Sequence, residues 1–365
     1  MNIRSIELHD YRNYEDLKIE FQNGTNILYG DNAQGKTNIL EAAYLSGTTK
    51  SHRGSKDREI IRFEKPEAHI RTIVEKGNSE YRIDLHLKRR ESKGIAINGV
   101  PIKKASELFG FLNIIFFSPE DLNNIKNGPS ERRRFLDAEI CQLDKIYLSD
   151  LTRYNKVLAQ RNRLLKEIED NKELISTLSI WNQQLLQYGK RIIRRRREFI
   201  GRLNELIHPI HERLTGGKEY LVLKYEPDTA ENDFEIALLS AEQRDLRQLS
   251  TTVGPHRDDL FFQVNDIDVR RYGSQGQQRT SALSLKLAEI ELVKNTIHEP
   301  PVLLLDDVLS ELDQNRQNFL LQSIGDIQTI VTCTGIEDFI RNRFRIDRVF
   351  IVKEGTVERM NGEDL

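Results

Sequence analysis

The sequence predicts an α/β fold in which a head of mixed sheet and helices is interrupted by a short antiparallel helical arm. Three observations carry that expectation. Apolar and polar residues alternate through much of the first ninety positions, then recur at three- and four-residue steps between about 144 and 215. In the final third, apolar strand-like runs alternate with helical ones.

Ile6 and Leu8, then Leu17, Ile19 and Phe21, have the two-residue period of a half-buried strand. Thr25 to Tyr29 is a short strand running into a glycine-rich loop. His69–Glu75 and Tyr81–Lys88 read as strands about a Gly77-Asn78 turn, and Ile95–Asn98 continues the sheet before Asn98-Gly99. Leu151, Tyr154, Leu158, Leu165 and Ile168 then follow helical spacing, interrupted once by Arg161. After a polar break at Asp170-Asn171 the pattern resumes from Leu178 through Trp181, Leu185, Tyr188, Ile192, Phe199, Leu203 and Leu206 to Ile210. Two helices of roughly 25–35 residues with a short link make an antiparallel pair. Gly216-Gly217 closes it and Tyr220–Tyr225 returns to strand. Leu283–Val293 reads as helix, and Val302–Leu305 and Thr329–Thr332 as buried strands. Val349–Lys353 with Thr356–Met360 forms a closing hairpin about Glu354-Gly355. The expected division is a discontinuous head, 1–143 and 216–365, with the signature-bearing part in a helical lobe, and an arm over 144–215.

The 365 residues suffice for one large or two ordinary domains, and 38% hydrophobic with 31% charged residues suits a soluble globular protein. No apolar run approaches the ~20 residues of a membrane span, and the N-terminus lacks an apolar signal core. Cys141 and Cys333 have no metal-ligand spacing, so a reduced cytoplasm is expected. The net charge of −2 does not itself point to nucleic acid. Between Lys190 and Arg202, however, seven basic residues face one acid, Glu198. Arg194 to Arg197 leave two readings open: phosphate-tracking cations, or a solvated helix face paired with Glu167 and Glu169 of the neighbouring helix.

Gly30-Asp31-Asn32-Ala33-Gln34-Gly35-Lys36-Thr37 matches the phosphate-binding loop G-x-x-x-x-G-K-[ST], with a strand before it and a helix after. Glycines let backbone N–H groups turn towards phosphates, and the helix N-terminus adds positive potential. Lys36 supplies a cation to the β- and γ-phosphates of ATP, and the Thr37 hydroxyl ligates Mg²⁺. Val302 to Leu305 bury a strand from whose end Asp306 emerges to hold the Mg²⁺ shell. Asp307 is placed to orient or deprotonate the attacking water. Ser274, Gly276 and Gln277 precede a long helix, in position either to cap it or to meet an anion there.

This order of phosphate loop, S-x-G-Q, acidic strand end and Ser310-Glu311-Leu312-Asp313 resembles ABC-type ATPases. There the signature of one subunit closes over ATP held by another, which implies a nucleotide-sandwiched homodimer. Within that superfamily the chain resembles the RecF family along essentially its whole length. The resemblance rests on Leu8-His9-Asp10-Tyr11-Arg12-Asn13-Tyr14, the loop extended to Asn38, and Phe117-Ser118-Pro119-Glu120-Asp121-Leu122. Arg132-Arg133-Arg134-Phe135-Leu136-Asp137 and Gly254-Pro255-His256-Arg257-Asp258-Asp259 complete it. It implies that Arg12 lies near the nucleotide base and that Ser274 contacts the γ-phosphate in trans. It further implies a weak, DNA-stimulated ATPase that binds double-stranded DNA and single/double-strand junctions at gaps. RecR, RecO and RecA become expected partners, with roles in recombinational repair, replication restart and the SOS response.

The chain departs from ABC transporters at three places. Asp307 stands where they usually carry Glu, Thr332-Cys333-Thr334 stands in place of the switch histidine, and Ser118 stands where a Q-loop glutamine is sought. A transporter subunit and an SMC-like tether are the rival readings. The first lacks membrane coupling elements, and the second requires far longer arms. His256-Arg257 reads equally as a ligand contact or as a brace through Asp258 and Asp259. Arg53, after the loop helix, reads as a surface arginine or a contact with a second subunit.

Overall fold

The structure, a computed structural model, describes residues 1–121, 126, 128–335 and 345–360. The chain divides into two compact units, one of Met1–Leu122 with Leu283–Leu365 and the other of Asn123–Ala282.

The first unit is built on two six-stranded sheets. β1 (Asn2–Tyr11), β2 (Tyr14–Glu20), β4 (Glu67–Lys76), β5 (Ser79–Lys88), β6 (Gly94–Ile97) and β7 (Val100–Pro101) form an antiparallel sheet in the order β2-β1-β4-β5-β6-β7. The tight turns between β4 and β5 and between β6 and β7 fall on Gly77 and on Asn98-Gly99, all at positive φ, as the sequence predicts. The second sheet joins β3 (Thr25–Tyr29), β8 (Ile114–Phe117), β12 (Val302–Asp306), β13 (Thr329–Cys333), β14 (Arg348–Lys353) and β15 (Thr356–Arg359). Its order is β15-β14-β3-β13-β12-β8, parallel except for the edge strand β15. This is the mixed sheet of an α/β head. Its central strands β12 and β13 are buried along almost their whole length, as expected of strands covered on both faces. The helix Lys36–Thr48 buries Ile39, Leu40, Ala42, Ala43 and Leu45, and one apolar core draws on it and on both sheets.

The second unit holds the arm. Lys145–Asp170 and Leu178–Thr215 are joined by a 3-10 turn, Lys172–Thr177. Their contacts run antiparallel: Ile168 clusters with Leu178, Arg161 bonds Asn182 and Arg196 bonds Tyr147. The second helix, at 38 residues, exceeds the expected length. It carries Pro209 inside and ends only at Gly216 in the left-handed conformation. A three-stranded antiparallel sheet, β11 (Ile267–Asp268), β10 (Asp259–Val264) and β9 (Leu221–Glu226), belongs to the same unit. The helix expected over Leu283–Val293 begins at Gln275, because Ser274 caps it.

Arg161, which breaks the apolar spacing of the arm, is fully buried. Its guanidinium bonds the equally buried Asp245 at 2.7 Å, the Thr251 hydroxyl at 2.7 Å and the Asn182 amide oxygen at 2.8 Å. The four arginines also differ from expectation. Arg194 and Arg197 lie beside Glu231, and Arg195 lies beside Asp144 and Glu198. Arg196 is buried, donating to Asp137, Asp258, the Pro255 carbonyl and the Tyr147 hydroxyl. Pairing with Glu167 and Glu169 is not what the fold provides; Glu167 takes Arg163 from its own helix. Consecutive arginines point round a helix, so four of them cannot share one partner.

His256 serves as a brace inside this unit. Its Nδ1 lies 2.7 Å from the Tyr154 hydroxyl and its Nε2 lies 3.1 Å from the Thr251 carbonyl. Burial holds the imidazole below its ordinary pKa. Asp259 takes both ends of the Arg132 guanidinium, at 2.7 and 2.8 Å, and Asp258 takes Arg196.

Candidate functional site

The phosphate loop leaves β3 at Gly30 and enters its helix at Lys36. Two glycines are required there, and both lie at positive φ. A Cβ on Gly30 would lie 2.3 Å from the Val352 carbonyl oxygen. One on Gly35, at φ +114, would lie 2.5 Å from Asn13 Nδ2 and 2.7 Å from the Tyr14 hydroxyl. Asp31, Asn32 and Ala33 form the exposed crest of the loop, with Ala33 at φ +63. Lys36 is buried, and its ammonium donates to the Gly30 and Asp31 carbonyls at 2.7 and 2.8 Å. The ammonium thus sits inside the loop.

Parallel pairing of β12 with β13 and of β13 with β3 carries the acidic strand end to this loop. The Thr37 hydroxyl donates to Asp306 Oδ1 at 2.8 Å. The Thr332 hydroxyl reaches the same oxygen at 2.8 Å and accepts the Asp307 N–H at 2.9 Å. Burial pushes the Asp306 carboxyl above its ordinary pKa, while the two threonine hydroxyls work the other way. A divalent cation fits this donor set: an alcohol and a partly desolvated carboxylate are hard oxygen ligands, and a positive charge offsets the cost of burying the anion. Asp307 occupies the left-handed region at φ +50, where an aspartate is tolerated and most side chains are not. Cys333, one residue beyond Thr332, has its thiol pushed up to about 12 by burial and by Asp307.

Arg12 is held fast. Its Nε and one terminal nitrogen bond the two oxygens of Glu41 at 2.8 Å each, and further donors reach the Glu59 carbonyl and the Ser55 hydroxyl. Glu41 is fully buried and also accepts from Tyr11 and Ser51. Burial opposes its charge, but Arg12 and Ser51 hold its pKa below the ordinary value. The guanidinium is thus a fixed element in the first unit, two residues before Tyr14, which packs against the loop.

Three supports of the loop were not assigned from sequence. Asn13 donates to the Gln34 carbonyl at 3.1 Å and accepts from Asn38 at 2.8 Å. The Gln34 side chain accepts the Glu354 N–H at 2.6 Å, from the hairpin between β14 and β15. Thr332 is the third. Its signal was its place in the sequence, where a switch histidine was sought.

Ser274, Gly276 and Gln277 lie in the second unit. The Ser274 hydroxyl accepts the Gln277 N–H at 3.2 Å and the Gln277 amide oxygen accepts the Ser274 N–H at 2.9 Å, a reciprocal cap. Gln277 is itself tethered to Glu219 at 2.9 Å. The hydroxyl is exposed and uses its oxygen in the cap, so its proton remains to donate outwards. In the first unit, Ser118 bonds Asp121 through both its N–H and its hydroxyl; Leu122, the last residue of that block, lies outside the described residues. Ser310 closes onto the Asp307 carbonyl at 2.7 Å, and Asp313 caps the helix Gln314–Ser323. Arg53 approaches Asn38 at 3.5 Å. Among the described residues, no helix is long and apolar enough to cross a membrane.

Residues 2–358 match the family of RecF/RecN/SMC N-terminal domains. The DNA replication and repair protein RecF of Agathobacter rectalis is 66% identical over 358 residues, covering 98% of this chain and 99% of that protein. The RecF of Lachnospira eligens is 61% identical over 363 residues, covering 99% and 100%. A solved structure of the recombination mediator protein RecF with ATP, in the RecFOR pathway, superposes with a TM-score of 0.92 at 37% identity, over 98% of this chain and 97% of that one. An SMC head domain from Pyrococcus furiosus, at 18% identity and a TM-score of 0.56 over 99% of this chain and 97% of that one, shares the fold.

Proposed function

Since the chain belongs to the RecF family, whose members include ATP-bound recombination mediators, we propose that it is an ATP-switched DNA clamp of recombinational repair. Two copies close on ATP and reopen after slow hydrolysis. The observation that carries this reading is the hydrogen bond from Thr37 to Asp306, which ties the phosphate loop to the acidic strand end while Lys36 lies folded beside them.

The chemistry follows from these groups. Loop N–H groups and the helix N-terminus receive the phosphates. Lys36 exchanges two neutral carbonyl partners for anionic phosphate oxygens, a stronger charge-assisted bond. Thr37 and Asp306 would hold Mg²⁺, which when bound neutralises charge developing on the phosphates. Asp307, fixed through its N–H by Thr332, orients or deprotonates the attacking water. Arg12 presents a rigid guanidinium towards the base. Ser274, with Gly276 and Gln277, offers its hydroxyl to the γ-phosphate held by the other copy, at a helix terminus favourable to anions.

On this reading the closed dimer grips duplex DNA next to single-stranded gaps in the cytoplasm. It acts with RecR and RecO to load RecA, in replication restart and the SOS response, and DNA stimulates its weak ATPase. The test is light scattering and gapped-DNA retention with ATP, with ADP and for Lys36→Ala. ATP alone should yield a dimer and raise affinity for gapped duplex, and Lys36→Ala should do neither. DNA binding and oligomeric state indifferent to nucleotide would refute the clamp.

A further inference from the structure

The outer face of the antiparallel sheet carries a row of metal-ligating side chains that the ATP site does not use. His9 on β1, His69 on β4 and His86 on β5 are successive cross-strand partners, and Asp16 on β2 faces His9. Cross-strand partners share a face, and residues two apart on a strand do as well. Glu67 therefore joins His69 and His86 on the outer face, while Ala68, Ile70, Leu85 and Leu87 point into the core.

The Glu67 carboxylate straddles the two imidazoles. One of its oxygens lies 2.7 Å from His86 Nε2 and the other 3.7 Å from His69 Nε2. The two rings stack at 4.1 Å between centroids, with planes 23° apart. One donor atom from each residue lies within 4.8 Å of the other two. In tetrahedral zinc sites, metal–ligand distances of about 2.0–2.1 Å put donor atoms roughly 3.3 Å apart. Closing that difference requires side-chain rotation that opens the stacked rings so that their lone pairs converge, and all three side chains are between 35% and 47% exposed. The backbone beneath them is fixed in the middle of a six-stranded sheet. His9 stands beside the group, held through Nδ1 to Asp16 at 2.6 Å and through Nε2 near Asp10 at 3.4 Å, and is not counted as a ligand.

We propose that Glu67, His69 and His86 form a binding site for a divalent transition metal of the zinc class, with water in the fourth position. Two imidazoles and one carboxylate select such a cation over Mg²⁺ or Ca²⁺, which take oxygen donors. The site is separate in residues and in chemistry from the Thr37–Asp306 pair.

The test uses the tag-free, full-length protein, stripped with EDTA and returned to excess Mg²⁺ so that the hard oxygen ligands are occupied. Zn²⁺ is titrated in competition with a chromophoric chelator. One Zn²⁺ per chain is expected, with affinity lowered at least about tenfold by Glu67→Gln and stoichiometric binding lost in His69→Ala/His86→Ala. Co²⁺ in the same site should give visible d–d bands without a thiolate charge-transfer band. Melting curves in EDTA establish that the variants fold, and Glu67→Gln, close in shape to the native residue, remains informative if the double variant does not. No stoichiometric Zn²⁺, binding undiminished in the folded double variant or in Glu67→Gln, or a thiolate band assigning the ion to cysteine would each overturn the proposal.

Discussion

Asp307 leaves β12 in the left-handed conformation, with its N–H fixed by Thr332 and its carbonyl taken by Ser310. Asp307→Asn keeps the shape, tolerates the same φ and leaves Asp306 to the metal. On the proposed mechanism it removes only the base, so ATP binding should be retained and hydrolysis should stall. Light scattering with ATP should therefore show a dimer that outlives that of the unaltered protein; a permanently monomeric variant would remove Asp307 from the proposed role. The phosphate loop and Asp306 could be read from sequence because their chemistry is local: glycines at the turn, a lysine and threonine at a helix start, a carboxylate after an apolar run. Thr332, Asn13 and Glu354 could not be assigned in this way. Thr332 and Glu354 reach the loop through strand pairings spanning hundreds of residues, and Asn13 reaches it from the turn between β1 and β2; nothing in a threonine or asparagine announces its partner.

At the scale of elements, the arm shows where periodicity succeeds and where it stops. Spacing located both helices and their antiparallel pairing, because an apolar stripe must be buried against something. It could not say that Arg161 and Arg196 are inside, since a buried arginine looks like an error in the pattern until its carboxylates are seen. Asp245, Asp137 and Asp258 lie far along the chain from them. Removing one partner of such a group leaves uncompensated buried charge, at a cost of about 3–5 kcal/mol. Arg196→Ala should lower the urea midpoint of the protein by a corresponding amount. Arg194→Ala, at an exposed pair with Glu231, should leave the midpoint almost unchanged. Equal effects would mean that the buried network contributes no more than a surface pair. The start of the helix at Gln275 has a similar origin: its first turns are polar and give no apolar signal, and the Ser274–Gln277 cap sets the boundary.

For the whole molecule, the proposed clamp requires that each ATP site be assembled from two copies, and this can be tested with proteins that are individually inactive. Lys36→Ala removes the phosphate cation, and Ser274→Arg places bulk and charge where the other copy's γ-phosphate must fit. Each should abolish ATPase activity alone. In a mixed dimer, Lys36 of the Ser274→Arg copy faces Ser274 of the Lys36→Ala copy. That site is intact, while the other carries both lesions, so mixing should restore partial activity if one working site turns over by itself. Mass spectrometry first establishes that mixed dimers form. A Lys36→Ala/Ser274→Arg double variant mixed with unaltered protein separates the remaining cases. Each site of that dimer joins one unaltered half to one damaged half, so under the trans arrangement neither works and excess double variant poisons activity. If each copy used its own Ser274, every unaltered copy would keep its site. Activity per unaltered copy that is undiminished in demonstrated mixed dimers would sink the shared-site mechanism.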